Sequence, residues 1–266
     1  MRETAKTKHI LRYQIRISKV ASLSRLSGFI AGFANRGHSG LDIIIHAHIK
    51  RDEFQRTLER IASFPDVKTI LEIGSSDGRG STVGLAKGML KNPSHPQLHA
   101  VEFAKRRHAR LERRYRRRSD IHCHNVVTVS RSEFLTPKDI SEFSHRHAAN
   151  FYNGADPDQV EREFNDLLQE SNLYIEANAL QENGIKSIKQ KFGIDTFDFV
   201  LIDGGPFSGD AELEQTIGAK YIALDDIFDI KNYKAHQRLL DDSAYEMVCY
   251  SKLLRAGFSI FRRKNA

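Results

Sequence analysis

One stretch, residues 67–82 (VKTILEIGSSDGRGST), constrains the fold more than any other part of the chain. It opens with a short apolar run rich in β-branched residues, which is typical of a parallel strand buried on both faces. The glycines that follow, Gly74, Gly78 and Gly80, allow a tight turn and a close approach of the backbone to a ligand. A helix beginning near Ser81 would direct free N–H groups at that ligand. The stretch therefore predicts a strand, a ligand-binding loop and a helix.

The spacing of these glycines differs from that of a dinucleotide site. The dinucleotide fingerprint is Gly-x-Gly-x-x-Gly, whereas here Ser76 follows Gly74 at the second place and the next glycine is Gly78. NAD is therefore disfavoured. An ordinary strand-to-helix turn without a ligand stays open as the simpler interpretation.

Three further apolar segments end in acidic residues. LHAVEF contains Glu102, FDFVLIDGG contains Asp203, and YIALDDI contains Asp225 and Asp226. Open α/β folds keep their ligands at the carboxyl ends of the strands, where an acid after the second strand accepts hydrogen bonds from ribose hydroxyls. Glu102 and the pair Asp225 and Asp226 also have a simpler interpretation, as a helix cap or a solvated side chain.

The remaining segments predict helices and a closing pair of strands. Residues 52–64 carry apolar side chains at helical spacing, and residues 81–90 fit a crossover helix. Residues 133–192 are far longer than an ordinary connection of about 2–6 residues. We interpret them as a helical insertion or lid that would decide which substrate is admitted. Residues 121–129 (IHCHNVVTV) fit a third strand, and segments 245–250 and 257–262 fit two strands at the end of the sheet.

The positive charge is concentrated in two segments. The chain has a net charge of +7, and residues 105–118 hold nine lysines or arginines against one acid, while residues 1–20 hold six against one. Such segments attract phosphate-bearing partners or an anionic membrane surface. A solvated helix face is the favoured interpretation. Within residues 105–118, Tyr115 is the only interleaved aromatic residue, so this segment is weak evidence for a nucleic-acid surface. Residues 1–45 are predicted to form a basic arm or helix, ahead of a domain at 46–266.

Composition limits the environment of the chain. Cys123 and Cys249 are its only cysteines, which predicts neither a disulfide framework nor a cysteine-rich zinc site, so a cytoplasmic location is expected. Its apolar stretches fall short of the roughly 18 residues that suggest a membrane span. Assembly into a homo-oligomer is left open.

Over roughly residues 50–262, the chain resembles the class I S-adenosylmethionine (SAM) dependent methyltransferases. The resemblance lies in an ordered set of motifs, namely LEIGSSDG, LHAVEF, FDFVLIDGG, ALDDI and the closing pair of strands. The glycine loop resembles motif I of that superfamily, Glu/Asp-x-Gly-x-Gly/Ser-x-Gly. The resemblance implies a three-layer, Rossmann-like α/β fold, with a mostly parallel seven-stranded sheet and a reversed edge strand. It also implies SAM as the cofactor.

The resemblance further implies which residues contact SAM. The loop Gly74–Gly78 would cradle the methionine end, Glu102 would grip the ribose, and the segment after the third strand would meet the adenine. The candidate cofactor-binding residues are Glu72, Gly74, Ser75, Ser76, Asp77, Gly78, Glu102, Phe103, Ser130, Arg131 and Asp203.

The strand-terminal aspartates are similar to those of small-molecule O-methyltransferases of the macrocin and aminocoumarin-sugar type, which bind a divalent cation through three aspartates. If the three metal-binding aspartates of those enzymes are matched to this sequence, the candidate ligands of Mg²⁺ are Asp203, Asp225 and Asp226. Mg²⁺ prefers oxygen donors. The chain departs from that pattern at residues 205–207, where Gly-Pro-Phe stands in a region that commonly holds a histidine. Asp203 is the candidate catalytic base if no metal binds.

The resulting hypothesis is SAM-dependent methyl transfer to a hydroxyl of a small molecule of sugar or natural-product type, with Mg²⁺ as an optional cofactor. An RNA methyltransferase that uses residues 104–118 is an alternative, but no Asn-Pro-Pro-Tyr-like base-flipping motif supports nucleic acid as the partner. A non-catalytic protein that binds SAM without turnover is the second alternative.

Overall fold

The computed structural model describes residues 40–42 and 48–264. The predicted arm at 1–45 therefore lies outside the described residues, apart from a short 3₁₀ turn at Gly40–Asp42. The strands are β1 (Thr69–Ile73), β2 (Gln97–Val101), β3 (Ile121–His124), β4 (Phe199–Ile202), β5 (Tyr221–Asp225), β6 (Tyr245–Ser251) and β7 (Phe258–Arg263). The described α-helices are α1 (Glu53–Ala62), α2 (Ser81–Met89), α3 (Lys105–Tyr115), α4 (Pro137–Phe151), α5 (Pro157–Ala177), α6 (Gly184–Phe192), α7 (Gly209–Thr216) and α8 (Tyr233–Asp241).

All seven strands form one sheet in the order β3-β2-β1-β4-β5-β7-β6. The pairs from β3 to β5 are parallel, whereas β7 is antiparallel to both of its neighbours. The predicted fold class is confirmed, with the reversed strand one place in from the edge. The chain order switches direction between β1 and β4, and open α/β sheets bind ligands at such a point, outside the carboxyl ends of the strands.

Both faces of the sheet are covered, which explains why its strands are apolar throughout. Ile70 of β1 belongs to one buried cluster with Phe54 of α1. Leu71, the next residue, belongs to a second cluster with Ile185 of α6 and Leu213 of α7. Successive strand residues thus point to opposite layers, and the result is the three-layer arrangement.

A buried asparagine ties α1 to β1. The Asn92 side-chain amide donates to the carbonyl oxygens of Ala62 (3.0 Å), Phe64 (2.6 Å) and Val67 (2.9 Å). These carbonyls belong to the turn that leads from α1 into β1, so Asn92 fixes the entry to the first strand.

The third strand is shorter than the apolar pattern at 121–129 predicts. It ends at His124, after which Val127 and Thr128 accept hydrogen bonds from the main-chain N–H groups of Gly184 (2.8 Å) and Ile185 (2.9 Å). After His124 the segment therefore leaves β2 and packs beside the start of α6, where Val126 forms an isolated parallel bridge with Gln181.

The long segment 133–192 contributes to two compact units. Residues Leu135–Tyr174 belong to one, in which Ala148, Tyr152 and Val160 are buried together. Helix α6 belongs to the other, because its apolar side chains pack on the sheet. Among the described helices, none combines the length and the apolar character that a membrane crossing needs.

Candidate cofactor and active site

Gly74, the first glycine of the loop, lies between the ends of β2 and β4. Its N–H and that of Ser75 both donate to the carbonyl oxygen of Val101 at 3.0 Å. A β-carbon on Gly74 would come 2.1 Å from the carbonyl oxygen of Asp203, and its φ is +87°. Only glycine fits this position, because any side chain would collide with main-chain atoms and strain the backbone.

Glu72 lies fully buried beneath the loop. Its carboxylate accepts hydrogen bonds from the hydroxyls of Ser75 (2.8 Å), Ser81 (2.6 Å) and Thr82 (3.0 Å). Burial raises the pKa of Glu72 from 4.5 to about 7, and the three hydroxyl donors oppose part of that rise. Glu72 therefore joins the loop to the first turn of α2. Its direct contact with a cofactor stays a prediction.

Glu102, just after β2, reaches the opposite side of the loop. Its carboxylate accepts from the main-chain N–H groups of Ser76 (2.9 Å) and Ala104 (2.8 Å). Burial raises its pKa. The Asn125 amide donates to the carbonyl oxygens of Glu102 and Phe103, both at 2.8 Å. The tip of β2 is thereby fixed, and the Glu102 carboxylate is held against the glycine loop.

The arginine-rich helix α3 supports the outer side of the loop. The Tyr115 hydroxyl donates to the carbonyl oxygen of Gly78 at 2.8 Å, and Arg114 Nε donates to that of Asp77 at 3.1 Å. A β-carbon on Gly78 would come 2.6 Å from the Tyr115 ring. At least one arginine of α3 therefore has a structural role, which its sequence pattern does not indicate.

Ser130 and Arg131, the predicted adenine contacts, begin a short 3₁₀ turn at Arg131–Glu133. The Arg131 guanidinium pairs with Glu182 at 2.8 Å, and the Ser130 hydroxyl donates to the same carboxylate at 3.3 Å. Both side chains are thus held by Glu182, and their contact with adenine stays a prediction.

The three predicted metal ligands converge. Asp203 follows β4, Asp225 ends β5 and Asp226 follows it, and each offers a carboxylate oxygen within 4.8 Å of the others. Burial raises the pKa of Asp203 and of Asp225, and the neighbouring carboxylates raise both further. Carboxylates packed this closely need positive charge nearby to remain ionised.

Two protein cations supply that charge. Lys231 Nζ pairs with Asp203 and lies 3.3 Å from Asp226. Arg255 Nε contacts both oxygens of Asp225 at 3.0 Å. The donors have the oxygen chemistry that Mg²⁺ prefers, but the ammonium group already contacts two of the three carboxylates. With the side chains in this arrangement, a divalent cation does not fit the cluster.

A further buried acid, Glu212 of α7, was not predicted. Its Oε1 accepts from the hydroxyls of Thr128 (2.5 Å) and Ser208 (2.8 Å), while its Oε2 has no hydrogen-bond partner among the described residues. A β-carbon on Gly204 would come 3.3 Å from the Glu212 carboxylate, so this acid lies at the same sheet edge as Asp203.

Sequence reasoning missed Glu212, Lys231 and Arg255 for one reason. Each lies in a polar segment whose pattern is that of a solvated surface, and none belongs to a recognisable motif. A weak signal was the pair of acids at the end of YIALDDI, because buried acids require a cation from somewhere in the chain.

Solved structures are similar to this chain at low sequence identity, and one of them reaches a TM-score of 0.50. Cofactor-bound Rv0187 from MTB has a TM-score of 0.50 at 12% identity, with 85% of this chain and 85% of that chain covered. The O-methyltransferase from Bacillus cereus in complex with SAH has a TM-score of 0.46 at 12% identity, covering 93% and 90%. A methyltransferase from Geobacter sulfurreducens has a TM-score of 0.44 at 10% identity, covering 81% and 82%.

No protein-family model matches the chain, and no curated protein matches its sequence. At these identities the likeness to solved structures shows the fold alone.

Proposed function

We propose that this chain, which has the Rossmann-like fold of the class I SAM-dependent methyltransferases, transfers a methyl group from SAM to a hydroxyl of a small molecule. The observation that carries the proposal is the position of the loop between two acids. Ser76 N–H donates to Glu102 on one side, and Gly74 packs against Asp203 on the other. Such a loop, at the switch point of an open sheet, suits a nucleoside cofactor.

The charge of the site supports a cationic ligand. Burial raises the pKa values of Glu72, Glu102 and Asp203. A positive charge placed among these carboxyls would favour their ionised forms. SAM brings a sulfonium and an ammonium group, so the edge of the sheet complements it electrostatically.

Within this proposal each part of the cofactor has its own contacts. The main chain of Gly74–Gly78 holds the methionine end, and Glu102 accepts hydrogen bonds from the ribose hydroxyls. Ser130 and Arg131 flank the adenine. Glu72 acts from beneath, by holding the hydroxyl groups that shape the loop.

Asp203 is the proposed base. The acceptor oxygen attacks the methyl carbon in line with the carbon–sulfur bond, whose electron pair stays on sulfur and leaves a neutral thioether. The hydroxyl proton passes to the Asp203 carboxylate. Because burial raises the pKa of Asp203, its proton affinity lies closer to that of a hydroxyl, which favours general-base catalysis. Alignment of donor and acceptor supplies most of the remaining rate.

Assistance by Mg²⁺ is a competing form of this reaction, which the contacts of Lys231 with Asp203 and Asp226 oppose. The observation in its favour is the convergence of Asp203, Asp225 and Asp226 within 4.8 Å. It requires Lys231 to leave the cluster first. Activity that is lost on chelation and restored by Mg²⁺ would favour this form over the metal-free one.

Binding and turnover test the proposal in two steps. Calorimetry with S-adenosylhomocysteine (SAH) should give saturable binding, and Glu102→Ala should weaken it at least tenfold, since a hydrogen bond to a charged group contributes about 1.5–3 kcal/mol. Glu112→Ala is the matched control, because Glu112 is an exposed acid on α3. Labelled methyl transfer from SAM to a panel of hydroxylated sugars and phenols then tests the reaction. Absence of SAH binding by the folded wild-type chain would refute the assignment.

An RNA acceptor is a further alternative, favoured by one observation. Six arginines on and just after α3 are exposed, namely Arg106, Arg110, Arg113, Arg114, Arg116 and Arg117. If they bind RNA, affinity should fall steeply with salt, and replacing Arg113 and Arg117 by glutamine should reduce the salt dependence. Methyl incorporation into RNA, and into none of the small hydroxylated acceptors, would favour this alternative.

A further inference from the structure

Lys231 lies at the cluster of aspartates where the resemblance to cation-dependent O-methyltransferases implies a metal ion. Its Nζ contacts carboxylates from two different strand ends, Asp203 after β4 and Asp226 after β5. The lysine side chain is only 10% exposed. An ammonium group in this position has lost most of its hydration, and the carboxylates must replace the hydrogen bonds that water would make.

The third carboxylate of the cluster, that of Asp225, already accepts hydrogen bonds from Arg255 with both of its oxygens. Arg255 Nε contacts both oxygens of Asp225 at 3.0 Å, and its Nη2 contacts one of them at 2.8 Å. The Arg255 and Asp225 side chains are 9% and 3% exposed. Arginine keeps its charge at all relevant pH values and forms such paired contacts with a fixed geometry. Arg255 is therefore the ion-pair partner of Asp225, and Lys231 is the cation that contacts Asp203 and Asp226.

The main chain around Lys231 is held firmly. The next residue, Asn232, is fully buried, and its amide donates to the carbonyl oxygens of Ile202 (3.0 Å) and Asp225 (2.7 Å). A β-carbon on Gly209 would come 2.2 Å from the carbonyl oxygen of Lys231, so the start of α7 packs directly on this segment. Asn232 is thus tied to the ends of both β4 and β5, which directs Lys231 at the acids beyond them.

We infer that Lys231 takes the place of a divalent cation in this site, as a fixed positive charge that holds Asp203 and Asp226 together. The inference rests on the proposed function, because only that proposal makes this cluster part of the active site. Lys231 is a positioning residue, because it acts through Asp203.

Mn²⁺ binding tests this inference without any assay of methyl transfer. Paramagnetic resonance and calorimetry would measure Mn²⁺ affinity for the wild-type chain, Lys231→Gln, Lys231→Arg and the double variant Lys231→Gln/Asp226→Asn. We expect no saturable site in the wild-type chain or in Lys231→Arg. Lys231→Gln should gain one saturable Mn²⁺ site, at least about tenfold tighter than the non-saturable binding of the wild-type chain, because it removes the ammonium group from two carboxylates. The double variant should lose that site.

Lys234→Gln provides the matched control. Lys234 lies on α8 and pairs with Asp210 while 65% exposed, so its loss removes the same charge outside the cluster and should create no Mn²⁺ site. Saturable binding by the wild-type chain that Asp226→Asn removes would overturn the inference, and so would a folded Lys231→Gln that gains no Mn²⁺. If Lys231→Gln does not fold, the wild-type chain and Asp226→Asn alone decide. SAH calorimetry on the wild-type chain reports separately on the proposed function.

Discussion

Gly74 packs against the main chain of Asp203, so that a β-carbon on Gly74 would come 2.1 Å from the Asp203 carbonyl oxygen. This contact joins the glycine loop after β1 to the end of β4. The proposed cofactor loop and the proposed base are therefore parts of one rigid edge of the sheet. A change at either residue should affect both cofactor binding and catalysis.

Gly74→Ala should abolish SAH binding. The added methyl group would collide with main-chain atoms that cannot rotate away, and φ at +87° strains any residue with a side chain. Gly193→Ala is the control, because Gly193 also has a positive φ of +64° but no atom within 4 Å of the added carbon. It should cost about 1–2 kcal/mol of stability and leave affinity unchanged. Calorimetry and thermal unfolding would measure both variants, and an unchanged SAH affinity of Gly74→Ala would contradict the assignment.

Glu72 should make the free energy of unfolding depend on pH. Its pKa is about 7 in the folded protein against an ordinary 4.5, so between these values the folded chain keeps a proton that the unfolded chain has released. Raising the pH therefore favours the unfolded state, by up to about 3 kcal/mol once both forms are ionised.

The glutamine of Glu72→Gln does not titrate. Between about pH 5 and pH 7.5, a range close to the unfolded and folded pKa values of Glu72, this variant should therefore lose less stability than the wild-type chain. Urea unfolding across this range measures the difference, with the exposed Glu112→Gln as the control. Parallel pH profiles for the wild-type chain and Glu72→Gln would show that Glu72 ionises normally.

Two neighbouring arginines of α3 should differ in their effect on the cofactor. Arg114 Nε donates to the carbonyl oxygen of Asp77 in the loop, whereas Arg113, which is exposed like Arg114, makes no such contact within the described residues. Arg114→Gln should weaken SAH binding about threefold to tenfold, corresponding to roughly one hydrogen bond, and Arg113→Gln should not. Both variants lose one positive charge, so equal losses of affinity would instead indicate a long-range charge effect.

Asn92→Ala should destabilise the chain by roughly 2–3 kcal/mol, because it leaves the buried carbonyl oxygens of the α1–β1 turn without a donor. Asn165→Ala is the comparison, since the Asn165 amide donates to one carbonyl oxygen, that of Glu161. Its cost should stay within about 0.5 kcal/mol. Chemical denaturation measures both variants, and a similar small loss in each would show that the Asn92 carbonyls find other partners.

The edge of the sheet that holds the site was predictable from the sequence. Strands β2, β4 and β5 are short apolar runs that end in or precede an acid, as at Glu102 and Asp203, and the carboxyl ends of parallel strands meet at one edge of the sheet. The fold class came from the resemblance of these motifs, taken in order, to the class I methyltransferases, and the pairing of the strands was decided by the tertiary structure. The convergence of Asp203 with Asp225 followed from the same reasoning.

The partners of those acids were decided only by the tertiary structure. Glu72 belongs to a recognisable motif, yet its carboxylate accepts hydrogen bonds from three hydroxyl groups. The acids at the ends of β4 and β5 form ion pairs with Lys231 and Arg255. A polar pattern does not distinguish a solvated lysine from a buried one. That distinction depends on packing between residues far apart in the chain, such as the contacts that Asn232 makes with two strand ends. The sequence thus determined at which edge of the sheet the acidic side chains lie, and the tertiary structure determined which cations pair with them.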